Sequence, residues 1–281
     1  MRIGLTVFLT DRTIDPVTLA REAEARGFAS LYFPEHTHIP LSRETAPPTG
    51  DDELNDEYKR TLDPLIAIAA AAAVTKTLVL GTGVSLVAQH DPIVMAKQLA
   101  TLDFISGGRI TLGVGFGWNR DEMNNHGVTY ETRREQAREH VLAMIELWSH
   151  EEASFHGHFV QFGSSWSWPK PVQQPRLRTL VGGGAGPKLF SHVAEYADGW
   201  FPIGGAGVRD ALPALQAAWA IAGRSSEPEV VPFGVIANAS KLQYYRDIGC
   251  SEVVLRVHGT DRDSTLRQLD TLCAESGVLP T

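Results

Sequence analysis

Apolar and polar positions follow two periods that take turns along the chain. Short apolar, β-branched runs read as strands: "RIGLTVFL" (2–9), "SLYF" (30–33), "TLVLGTGV" (77–84), "RITLGVG" (109–115), "TLVGGG" (179–184), "GWFP" (199–202), "EVVPFGVI" (229–236) and "EVVLRV" (252–257). Stretches of helical spacing lie between them. Asp15-Pro16, Asp63-Pro64 and Asp91-Pro92 each supply an N-cap acceptor followed by a proline suited to the first turn. Further helices are expected over 130–148, 187–196, 208–222, 240–248 and 263–275. In the longest, Val141, Ile145 and Trp148 share one face.

Two stretches break the alternation. Residues 34–61 are rich in Pro, Asp and Glu, and 150–178 lack a helical period and predict a short hairpin around His156-Gly157-His158. Eight strand-helix units predict an α/β fold, a single (β/α)8 TIM-type barrel with insertions in its βα loops. A doubly wound sheet of similar strand count is the structural rival. No shift in composition divides the chain, so one domain over 1–281 is expected, with loop insertions at 34–61 and 150–178.

Composition narrows the partners. The net charge of −8 over 281 residues, without a Lys/Arg run, argues against a nucleic-acid surface. Cys250 and Cys273 are too few for a disulfide framework and are expected as reduced thiols. "MRIGLTVFLTD" has no secretory pattern, and "LIAIAAAAAVT" is too short to span a bilayer. A cytoplasmic protein with no membrane partner is the expectation.

In a barrel, function gathers past the C-terminal strand ends. Strand two runs into Pro34-Glu35-His36-Thr37-His38. Three readings stay open there: a metal site, a solvated loop, or His36 as a proton donor oriented by a neighbour. Against metal, the two histidines are too close in sequence to converge easily, and no further His/Asp/Glu cluster completes a tetrahedron; His90-Asp91 and His156/His158 have no fixed spacing to them. An imidazole suits proton transfer because its ordinary pKa lies near neutrality. Gly81 and Gly83 in strand three point either to a tight corner or to close approach of a ligand. "LGVGFGWNRDE" departs from the dinucleotide fingerprint at Trp118. "GGGAGPK" (182–188) places four glycines before Pro187 at a helix start, which is an anion site by construction, with Lys188 adding charge.

Taken together, "LYFPEHTHIP", the segment from Leu78 to Met123 and "VGGGAGPKLFSHVAEYADGW" resemble the bacterial luciferase-like monooxygenase superfamily, most of all its branch using the deazaflavin F420. The resemblance runs over essentially the whole chain, and its most specific part joins "SGGRITLGVG" to "GWN..E". It implies a flavin ring across the strand tops, with Glu35 and His36 as the catalytic pair. It also implies a non-prolyl cis bulge at Gly83-Val84, Phe116 and Gly117 beside the cofactor, and Gly183, Gly184, Ala185 and Gly186 around its phosphate. Relatives that oxidise sugar phosphates carry an acid where this chain has Trp118, so that substrate is not expected. Trp118, Trp166 and Trp168 instead suggest an apolar substrate region.

The function expected is hydride transfer between F420 and a small organic substrate, in a homodimer. The alternatives are an FMN-dependent monooxygenase using O2 and a partner reductase, a non-catalytic flavin-binding protein and, more remotely, a metal-dependent hydrolase. Loop 41–61 is open between a lid and a solvated insertion, and His38 has no assigned role.

Overall fold

All three Asp-Pro pairs start helices. In the computed structural model, which describes residues 1–46, 53–236 and 238–279, Asp15 accepts from the Thr18 N–H and Asp63 from Ile66, each at 2.9 Å. Asp91 accepts from both Ile93 and Val94 at 2.9 Å. Each such cap contributes about 1 kcal/mol. These begin α1 (Pro16–Ala25), α3 (Pro64–Ala72) and α4 (Pro92–Ser106), with a single-turn α2 (Asp56–Lys59) inside the expected loop.

The parallel strands β1 (Arg2–Val7), β2 (Ser30–Phe33), β3 (Val79–Thr82) and β4 (Ile110–Val114) lie side by side. Next come α5 (Arg120–Asn125), α6 (Arg133–Ser149) and an antiparallel hairpin, β5 (Ala153–His156) with β6 (Gln161–Ser165). The order then continues through β7 (Arg178–Gly182), α7 (Pro187–Tyr196), β8 (Gly199–Phe201) and α8 (Val208–Ile221). It ends with β9 (Glu229–Val230), β10 (Phe233–Val235), α9 (Ala239–Asp247), β11 (Glu252–Val257) and α10 (Arg262–Ser276).

The main sheet has the order β10-β11-β1-β2-β3-β4-β7-β8-β9. Its two ends are adjacent segments of one stretch, separated by Val231 and Pro232. Val231 N–H donates to Trp200 O at 3.0 Å, and Val254 N–H donates to Pro232 O at 2.8 Å, so this stretch bonds to β8 on one side and β11 on the other. The sheet therefore curls, which sequence spacing expressed as one continuous strand over 229–236. Short β5 and β6 fall where the hairpin was expected, but α2 and α5 carried too few residues to show a period.

Inside the curl the side chains form layers. At the N-terminal ends of the strands, Arg178 reaches Glu229 at 2.6 Å and Glu252 at 3.2 Å, while Ser30 and Tyr32 hydroxyls donate to Glu252. Above it Tyr32, Phe201 and Phe233 meet edge to face, with centroids 4.5 to 6.2 Å apart. Such pairs add about 0.5–1.5 kcal/mol each beyond area burial. The strand glycines make this packing possible: a Cβ on Gly81 would lie 2.7 Å from the Tyr32 ring, and one on Gly83 would lie 2.5 Å from the Phe233 ring. Gly81 is thus a packing requirement.

Two expectations about the surface fail. Trp166 and Trp168 are 75% and 58% exposed, at the end of the hairpin and just after it, and do not line the cavity described below. Hairpin strands that face water on one side leave large rings outside, and a tryptophan pair in sequence carries no signal of that. Part of loop 41–61 lies outside the described residues. Among the described residues no helix is long and apolar enough to cross a membrane.

Candidate active site

The C-terminal ends of the parallel strands open onto a cavity of about 680 Å³. Its walls are unlike the layers beneath. Phe8, Tyr58, Phe116, Trp118 and Phe233 supply ring surface, and Gly83, Gly115, Gly117, Gly183 and Gly234 supply bare backbone. The size suits a drug-sized organic ligand. Gly117 has φ +72° and Gly183 φ +141°, conformations that side chains with a Cβ rarely adopt.

The end of β2 sends its acidic residue and its histidine to different partners. Glu35 is 5% exposed and turns to the segment after β3. Its carboxylate accepts from Ser85 Oγ, from the Leu86 N–H and from His90 Nε2, all at 2.6 Å. Burial alone would raise the Glu35 carboxyl, but His90, Ser85 and Leu86 outweigh it and hold it below the usual carboxylate range. Burial would likewise lower His90, yet the adjacent carboxylate holds its pKa above the ordinary histidine value.

The segment that Glu35 anchors is the one that shapes the cavity. The Gly83–Val84 peptide is cis, as the resemblance implies. Val84 projects where a Cβ on Gly115 would come within 2.2 Å of it, and Ser85 is fixed by its N–H to Gly113 O at 2.7 Å. The expected direct link from Glu35 to His36 is absent: the Glu35 carboxylate is fully engaged elsewhere. Successive residues leaving a strand point to opposite sides, which is why the two neighbours separate.

His36 finds a different carboxylate. Its Nδ1 lies 2.8 Å from Oε2 of Glu122 in α5, and Glu122 is 1% exposed. Oε1 of the same carboxylate accepts from the Thr37 N–H at 3.3 Å. An ionised carboxylate only accepts, so Nδ1 carries the hydrogen and Nε2 is left to take or give a proton. Nε2 has no protein partner among the described residues. The ring sits against Tyr58 and Trp118, at centroid distances of 5.3 and 5.8 Å.

His38 does not join this pair. It bonds outward with Thr37 Oγ1 at 3.0 Å and Asn125 Nδ2 at 2.9 Å, and its ring lies 5.5 Å from His126. Among the described residues no three His, Cys, Asp or Glu side chains converge as a metal site.

The glycine loop after β7 reaches the cavity at Gly182, Gly183 and Gly184, whereas Ala185 and Gly186 lie beyond the lining. Gly186 precedes α7, whose first turn has no side-chain cap. Lys188 turns away to Glu135 at 2.6 Å, so its charge is already partnered.

Several cavity residues were not singled out from sequence. Tyr58 and Arg256 arrive from a single-turn helix and a strand end, with no motif to mark them. Glu122 had a visible signal, since it is the acid in the "GWN..E" stretch; its partner could not be read without the fold.

Comparison with known proteins agrees with this arrangement. A protein of Mycobacterium tuberculosis whose function is not established is 44% identical over 278 residues, 98% of either chain. The F420-dependent hydroxymycolic acid dehydrogenase of the same organism is 27% identical over 199 residues, 69% of this chain and 49% of that one. Among solved structures, an F420-dependent secondary alcohol dehydrogenase with an F420-acetone adduct superposes with TM-score 0.75 at 16% identity, over 100% and 99% of the two chains. The FMN-bound oxygenating constituent of 3,6-diketocamphane monooxygenase from Pseudomonas putida gives 0.63 at 17% identity, over 88% of this chain and 71% of that one. The family model for luciferase-like monooxygenases matches residues 12–247, and the chain belongs to that family.

Proposed function

We propose that this protein is an F420-dependent oxidoreductase that moves a hydride between the deazaflavin C5 and a small organic substrate, with His36 handling the accompanying proton. The observation that carries the reading is the His36–Glu122 pair in the cavity wall, 2.8 Å apart with Nε2 left free of protein partners. The strand order supports a closed (β/α)8 barrel when β9 and β10 are taken as halves of one strand. With it goes one domain over 1–281.

The residues present fit a flavin-type group. A Cβ on Gly184, Gly204 or Gly234 would meet nothing within 4 Å, so these positions leave open space along the wall. The amides of Gly183–Gly186 and the start of α7 would hold the phosphate. When bound, the deazaflavin supplies the hydride chemistry. The protein's own part is to exclude water with Tyr58, Trp118 and Phe8, and to keep His36 in one tautomer through Glu122. In the oxidising direction the substrate's hydroxyl proton passes to Nε2, and Glu122 stabilises the imidazolium that results. Glu35 acts one step back, by fixing the Ser85–Leu86 backbone that carries Val84 to the wall.

Similarity to an FMN-bound enzyme supports a second reading, an FMN-dependent monooxygenase, because the same amides would serve either phosphate. We also read the exposed apolar side chains Ile66 of α3 and Ile93, Val94, Phe104 and Ile105 of α4 as the face of a homodimer, which sedimentation would test. For the lead reading, the test is turnover of His36→Ala. Loss of about 10²-fold or more in kcat, with F420 affinity kept, supports it; unchanged kcat removes His36 from the mechanism.

A further inference from the structure

Three arginines crowd the cavity rim without a carboxylate to pair with. Arg133 and Arg134 open α6 and both line the cavity, and Arg120 opens α5 nearby. The guanidinium carbons of Arg120 and Arg133 lie 4.2 and 3.5 Å from the Tyr130 ring centroid, and that of Arg134 lies 4.8 Å from Phe116. None of the three forms an ion pair among the described residues, and the Arg133 Nε is buried with no hydrogen-bond partner. The nearby acids do not account for them: Glu135 is taken by Lys188, and Glu131 is exposed.

Local electrostatics oppose this placement. A helix N-terminus carries partial positive charge, so cations in its first turn cost about 0.3–1 kcal/mol apiece. Thr132 gives α6 no side-chain cap to offset them. A locally unfavourable arrangement kept at the mouth of a cavity is expected where a ligand supplies the missing charge. The ligand is an anion, and a single phosphate does not need all three. Gly183 and Gly184 share this cavity with Arg133 and Arg134, and the loop they belong to already offers amides to a phosphate.

The two candidate cofactors differ beyond that phosphate. FMN ends there, whereas F420 continues into an oligoglutamate chain with a carboxylate on every residue. We propose that Arg120, Arg133 and Arg134 form a subsite for the carboxylates of that tail, selecting the deazaflavin over FMN. Guanidinium forks match carboxylates, and rings beneath them keep them extended toward the rim. The inference rests on the F420 reading above.

The test is titration of the purified protein with F420 carrying short or long oligoglutamate tails, followed by fluorescence at low and high salt. The wild-type protein should bind the long-tailed form roughly tenfold more tightly, as expected of two or three partly exposed ion pairs. High salt should erase most of that preference. The R133Q/R134Q double variant should bind both forms alike. Equal wild-type affinity for the two tails overturns the subsite while leaving the F420 reading intact, and needs no variant to fold. A double variant that keeps the preference assigns the tail elsewhere. A protein that binds neither tail form but takes up FMN overturns the F420 reading and the subsite together.

Discussion

Nδ1 of His36 lies 2.8 Å from the buried Glu122 carboxylate, across 86 residues of sequence. This pair sets which imidazole nitrogen can exchange a proton at the cavity wall. Glu122→Gln keeps the shape but loses the charge that stabilises an imidazolium, and its amide no longer fixes the tautomer. The expected result is a kcat lower by roughly tenfold or more, a shifted pH–rate profile and a cofactor Kd within about twofold of wild type. A profile and kcat that do not move would place Glu122 outside the proton path.

Glu35 is expected to behave as a structural residue. Glu35→Gln removes the charge that His90, Ser85 and Leu86 surround, leaving His90 beside a neutral amide. Breaking a buried pair of this kind costs about 3–5 kcal/mol. Denaturant unfolding should show that loss. Full stability with abolished turnover would instead make Glu35 a catalytic group.

The same pair gives a pH signature. Glu35 is held below its ordinary value, so its contribution is present above the unfolded carboxylate pKa and lost as pH falls through the lower, folded one. His90 is held above its ordinary value, so its contribution is complete below the unfolded histidine pKa and lost as pH rises through the raised, folded one. Wild-type stability should therefore decline on the alkaline side of neutrality, and His90→Gln should flatten that limb. Melting curves across pH check it; parallel declines in both proteins would contradict it.

Arg178 tests the layer at the opposite end of the strands. It neutralises Glu229 and Glu252, the latter 1% exposed, so Arg178→Met leaves buried carboxylates short of their partner. A loss of about 3–5 kcal/mol in unfolding free energy is expected. The activity of the molecules that remain folded should stay near wild type, because this layer lies below Tyr32 and the cavity lies above.

Trp118 closes one side of the aromatic wall over His36. Trp118→Ala should raise KM for an apolar substrate roughly tenfold, the cost of losing a large ring contact. Cofactor affinity should change little. A larger effect on cofactor than on substrate would move Trp118 to the cofactor side.

Much of the fold was legible because its signals are local. Asp-Pro starts and short β-branched runs act over a few residues, and the strands and caps fell where they pointed. The site was legible only where chemistry and chain position coincide: His36, Gly83, Val84, Phe116, Gly117, Gly183 and Gly184 all reach the cavity. What the sequence could not carry were pairings made across the fold. Glu35 lies next to His36 in sequence yet bonds to His90, while Glu122 bonds to His36. Lys188 follows the anion loop yet belongs to Glu135. Trp166 and Trp168 read as apolar lining but sit on an exposed hairpin and its exit.

The central claim is the cofactor, and side-by-side equilibrium titration of the purified protein with F420 and FMN tests it most directly. The account predicts micromolar or tighter binding of F420 and little for FMN. Micromolar binding of FMN with none for F420 would contradict it.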